Sequence, residues 1–103
     1  MNYTKDQILD KAETILKDID GKYYIKGCVD GATYVKDKNL LGKNLGKKSN
    51  VWIISVKSLA DNRDFLIISD ETGEPIYYMN FNTLVSDIEK DEKGYFRVGL
   101  PRD

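Results

Sequence analysis

Between Val51 and Phe81 three apolar runs are separated by two short polar turns, a spacing that commits this part of the chain to an antiparallel meander. The runs are Val51–Lys57, Asp64–Ser69 and Pro75–Phe81, joined by Ala60-Asp-Asn-Arg63 and Asp70-Glu-Thr-Gly-Glu74. Trp52, Ile54 and Val56 alternate with Val51, Ile53 and Ser55, and Phe65 and Ile67 alternate with Leu66 and Ile68. Successive strand residues point to opposite faces, so the two central strands are apolar on both. One face can receive a helix. The other is left for the rest of the chain, for a second copy, or for a partner. Gly73 stands where the second turn needs a positive φ, and Pro75 opens the returning strand where a missing N–H costs little.

The helix is supplied at the N-terminus. Thr4 and Gln7 have the spacing of a capping box, and Tyr3 and Ile8 flank it as a hydrophobic staple. Ile8, Ala12, Ile15, Leu16 and Ile19 recur at helical spacing, with Lys5, Asp6, Lys11, Glu13 and Lys17 elsewhere on the cylinder. Burying that stripe would contribute roughly 1.5–3 kcal/mol per large side chain before entropy is subtracted. Asp20-Gly21 is the stop, with Gly21 suited to the left-handed C-terminal position. Next, Lys22–Val29 and Ala32–Lys36 read as two strands joined by a type I′ hairpin at Asp30-Gly31, with Gly27 marking a bulge. Residues 37–50 are rich in glycine, asparagine and lysine and read as a long irregular loop.

The C-terminal pattern admits two structures. Thr83 and Ser86 are N-cap residue types, Ser86 and Glu89 have box spacing, and Leu84, Val85 and Ile88 would seat a short second helix within 82–93. Tyr95–Val98 would add a last strand, ended by Pro101. The whole is an α+β chain, one domain over 1–103, with an N-terminal amphipathic helix on a curved antiparallel sheet.

Chemistry is constrained more by what is missing than by any motif. There is no histidine, and a lone Cys28 has neither a disulfide partner nor an imidazole to activate it. The carboxylates have neither calcium-loop spacing nor the paired arrangement of general acid–base catalysis. Gly42-Lys-Asn-Leu-Gly-Lys-Lys-Ser49 approaches a phosphate-binding loop, but its glycines are one residue too close and a strand follows it. No enzyme activity, cofactor or metal is therefore expected. No apolar run reaches the ~18 residues of a membrane span and no secretory leader opens the chain, so the expectation is a cytoplasmic protein off the membrane.

The net charge of −1 conceals a segregation: −2 over residues 1–20, +6 over 21–59 and −5 over 60–103. Such a field steers and orients a charged partner. Few arginines and an acidic second half argue against nucleic acid as that partner. The candidate contact residues are the acids Asp70, Glu71, Glu74, Asp87, Glu89, Asp91 and Glu92, with Tyr78 as an aromatic anchor. An alternative contact set is the lysine loop at Lys43, Lys47 and Lys48.

The order of helix, Trp52-bearing strand and Phe65-Leu-Ile-Ile-Ser-Asp-Glu-Thr-Gly-Glu-Pro-Ile-Tyr77 resembles small cystatin-like immunity proteins of bacterial polymorphic-toxin systems, over about half the chain. The Gly-Asn-Gly-Pro stretch expected ahead of the second strand in the nearest such family is not present. The resemblance implies a bacterial cytoplasmic antitoxin that binds a cognate toxin domain and occludes its active site. Against a nuclease toxin the acidic set would enter a basic cleft. The alternatives are a peptidase-inhibitor-like or propeptide-like module acting through the Glu71–Glu74 turn, and a structural homodimer that covers its second apolar face with its own copy.

Overall fold

The computed structural model describes residues 1–58 and 60–100. One helix, α1 (Lys5–Asp20), packs on a six-stranded antiparallel sheet whose spatial order follows the chain. The strands are β1 (Val29–Asn39), β2 (Lys48–Lys57), β3 (Arg63–Ser69), β4 (Pro75–Met79), β5 (Val85–Asp91) and β6 (Gly94–Arg97). Helix α1 starts as its sequence dictates: the Gln7 N–H donates to Thr4 Oγ1 at 3.1 Å and the Thr4 N–H to Gln7 Oε1 at 2.9 Å. It stops at Gly21, whose φ of 54° is one that glycine alone adopts freely.

The two faces of the sheet carry separate cores. Ile8, Ala12, Ile15 and Leu16 of α1 close over Trp52, Ile54, Val56, Leu66, Ile68, Tyr78 and Ile88. On the helix-free face Val51, Ile67 and Tyr77 pack with Leu40, which arrives from the β1–β2 connection. That connection supplies part of the cover that the doubly apolar central strands require.

Three local expectations are corrected. Asp30-Gly31 is not a hairpin turn. Both lie inside β1, at a register shift where Val29 pairs with Val56 and Gly31 with Ser55. A type I′ turn needs φ above zero at both central residues, and neither adopts it. Asp30 instead accepts from Arg63 Nε at 2.7 Å, an ion pair reaching to β3. The run 22–28 holds a short 3₁₀ turn over Gly21–Tyr23 and a second turn in which Gly27 has φ 84°.

Secondly, both ends of the 37–50 loop are strand. β1 continues to Asn39 and β2 begins at Lys48, past a second shift at which Asp37 takes φ 54° and donates its N–H to Asn50 Oδ1 at 2.9 Å. Only residues 40–47 connect the strands, with a 3₁₀ turn at Gly42–Asn44.

Thirdly, the short helix within 82–93 is not formed. Asn80 and Thr83 make a turn instead: the Asn82 and Leu84 N–H groups donate to Asn80 Oδ1, Thr83 has φ 63°, and β5 then pairs with β4 through Tyr77–Asp87, Tyr78–Ser86 and Met79–Val85. An i, i+3 pair of apolar residues fits one face of a helix, but in a strand it faces opposite ways. Here both faces are apolar: Ile88 enters the helix-side core and Val85 packs on the other. β6 falls where Tyr95–Val98 was expected, and Pro101 lies outside the described residues.

Candidate functional site

β5 carries the acidic set in a row. Period-two alternation from Val85 puts Asp87, Glu89 and Asp91 on the helix-free side, while Ile88 turns to the helix and the Lys90 ammonium sits 5.0 Å from the Tyr95 ring centroid. Glu89 and Asp91 are exposed, as is Glu92 in the β5–β6 turn, where Asp91 Oδ1 accepts from the Lys93 N–H at 2.8 Å.

The two alternative contact sets meet here. The Lys43 N–H donates to Asp87 Oδ1 at 3.0 Å, and Lys43 Nζ lies 3.9 Å from Glu89 Oε2. The ion pair is open to solvent on both sides, so it contributes little stability. The backbone bond does more, because it holds the connection against β5. Gly42 makes it fit: its φ is 70°, and a Cβ there would stand 2.3 Å from Asp87 Oδ1. Lys47 and Lys48 remain exposed, Lys47 within the connection and Lys48 at the start of β2 opposite Asn39. Acidic row and lysine loop are thus neighbouring parts of one surface.

Other members of the expected acidic set do structural work elsewhere. Asp70 is 2% exposed and accepts from the Asn2 N–H at 2.9 Å, the Tyr3 N–H at 3.4 Å and Trp52 Nε1 at 2.9 Å. Burial opposes its ionisation, but these bonds and the N-terminal charge outweigh that and hold its pKa below the usual carboxylate value. It ties the segment before α1 to the sheet. Tyr78 is 4% exposed, donates to Asp64 Oδ2 at 2.7 Å and lies under the Arg97 guanidinium at 4.8 Å. Burial, then the Asp64 bond and charge, push its phenol well up.

Glu74 accepts from the Tyr95 hydroxyl, and burial followed by that bond pushes the Tyr95 phenol up to about 12. Glu71 is exposed at the tip of the same turn, with its N–H on Ser69 Oγ at 3.1 Å. Gly73 has the expected positive φ, 73°, and is backed closely by the Tyr3 ring.

A cleft of about 730 Å³ was not anticipated from the sequence. It opens where the helix ends, between the 23–28 segment and the far end of β2 and β3, with Asp20, Asp64 and Arg97 among its walls. Tyr23 and Ile25 on its margin are 70% and 72% exposed. Reading 22–29 as a strand concealed them, since alternation puts Tyr23 and Ile25 on one face, where both could be buried against a neighbouring layer. Cys28 also lines this cleft, and burial, then the charges of Glu13 and Asp20, push its thiol up, away from a reactive thiolate. Among the described residues no three histidine, cysteine or carboxylate groups converge to hold a metal ion, and no helix is long and apolar enough to cross a membrane. No known protein family, curated protein or solved structure matches the chain.

Proposed function

We propose that this chain is a non-catalytic binding protein that receives a basic protein partner on the helix-free side of its sheet, as an immunity protein occludes a toxin. The observation that carries the reading is the acidic row on β5: Glu89 and Asp91 stand exposed on one side of the strand, with Glu92 exposed in the turn that follows. The backbone bond from Lys43 to Asp87 supports the row from beside it, so the partner meets charges held on sheet and not on a loose loop. A nuclease toxin, whose phosphate-binding cleft is basic, has the complementary chemistry. Asp70 and Tyr78 hold the fold, and the contact surface is narrowed to the β5 row and the neighbouring Lys43.

The test is affinity capture of the tagged protein from its source cells, followed by association kinetics with the retained partner. Reversing charge with Glu89→Lys and Asp91→Lys is expected to slow association about tenfold at low salt and to flatten its salt dependence. These two positions are preferred to Asp87, whose loss would also release the Lys43 backbone. An association rate indifferent to both substitutions sinks the electrostatic mechanism. Retention of nothing but untagged copies of the chain replaces it with the homodimer.

A further inference from the structure

The helix-free face also contains a groove of about 200 Å³ between the β1–β2 connection and β2–β4, walled by Leu41, Ile53, Phe65, Ile67 and Met79. Two polar groups line it with them, Lys38 and Tyr77. Tyr77 is 1% exposed, yet among the described residues its hydroxyl has no hydrogen-bond partner, and burial alone pushes its phenol up. Among the described residues the buried side-chain oxygen without a partner is Tyr24 Oη, so the Tyr77 hydroxyl reaches solvent through the groove, and an acceptor entering there would replace water as its partner. Lys38 adds a positive charge to the same wall, and the rest of the lining is hydrocarbon apart from one thioether. At roughly the 30 Å³ that a water occupies in the liquid, the volume fits six or seven methylene-sized groups.

We propose that the groove binds a medium-chain carboxylate, its chain against Ile53, Phe65, Ile67 and Met79 and its headgroup accepting from Tyr77 Oη and the Lys38 ammonium. A charged acceptor suits this pair because both members only donate to it. The Asp87 carboxylate stands opposite Tyr77 on β5, but it is already engaged by the Lys43 N–H. The headgroup therefore sits at the Lys38 side. This inference goes beyond the protein-partner reading and stands without it, since the groove lies on β2–β4 and the acidic row on β5.

Calorimetric titration of the full chain with sodium octanoate, below its micelle concentration, tests the proposal, with 1-octanol as the uncharged control. The expected result is saturable binding of one octanoate per chain, with octanol weaker by about tenfold, the usual scale of a hydrogen bond to a charged group. Tyr77→Phe and Lys38→Ala should each weaken octanoate by about tenfold and leave octanol nearly unchanged. Ile53→Trp, which fills the groove from a half-buried position, should abolish both, with unchanged circular dichroism and melting confirming the fold. Absence of saturable binding overturns the proposal, as does octanoate binding that all three variants preserve. Equal affinity for octanoate and octanol would overturn the headgroup assignment to Tyr77 and Lys38.

Discussion

Asp70→Ala is expected to destabilise the protein by about 2–4 kcal/mol, because it leaves three N–H donors facing a buried site with no acceptor. Asp70→Asn should cost less, since one amide oxygen can still accept from Trp52 or Asn2. The effect depends on pH with a definite sign. The folded pKa of Asp70 is lowered, so its contribution is complete above the unfolded carboxylate value of about 3.9 and is lost as pH falls through the folded value. Urea titrations of the wild type and Asp70→Ala should therefore differ most at pH 6–7 and converge under acid. Trp52 gives a local signal, because its indole loses a bond and gains water in the variant. Equal stability at neutral pH would mean that the Asn2–Tyr3 segment is not held by this carboxylate.

Gly42→Ala is the second substitution with a large expected effect, roughly 2–3 kcal/mol. Left-handed backbone costs about 1–2 kcal/mol for a residue with a Cβ. The new methyl also displaces the Asp87 carboxylate, which can rotate away only by giving up the Lys43 N–H, a bond of about 1 kcal/mol. A double-mutant cycle separates the two costs. In an Asp87→Ala background the steric part vanishes and the backbone part stays, so Gly42→Ala should there cost only about 1–2 kcal/mol. Identical costs in both backgrounds would show that the connection does not bear on β5. If the acidic row is the contact surface, the same substitution should also reduce partner affinity without touching any exposed acid.

The helix was legible because everything that specifies it is local. Thr4 and Gln7 are three residues apart, the apolar stripe repeats within one segment, and Gly21 ends it through its own φ. The three central strands were legible for a similar reason, since their turns are short and period-two alternation survives in each. The β1 region was misread because Asp30-Gly31 carries the composition of a turn whether or not the chain turns. What decides is β2, ten residues long, which offers hydrogen bonds to an extended β1, and Arg63 on β3, which occupies the Asp30 carboxylate.

The acidic residues divide along the same line. Their number and their clustering in the second half are properties of the sequence, and with the lysines of 21–59 they produce the charge segregation. Which of them face water is a tertiary matter. Asp70 is one residue before Glu71, yet it is drawn inward by Trp52 and the N-terminal backbone, while Glu71 projects from the turn. Asp87 and Lys43 lie 44 positions apart, and nothing in either neighbourhood announces that they bond. The helix, the meander and the apolar character of both sheet faces follow from residue periodicity and turn chemistry within a few positions of the chain. That 85–91 is a strand, that the lysine loop lies against it, and which carboxylates are left exposed each depend on partners far apart in the chain, which meet only on folding.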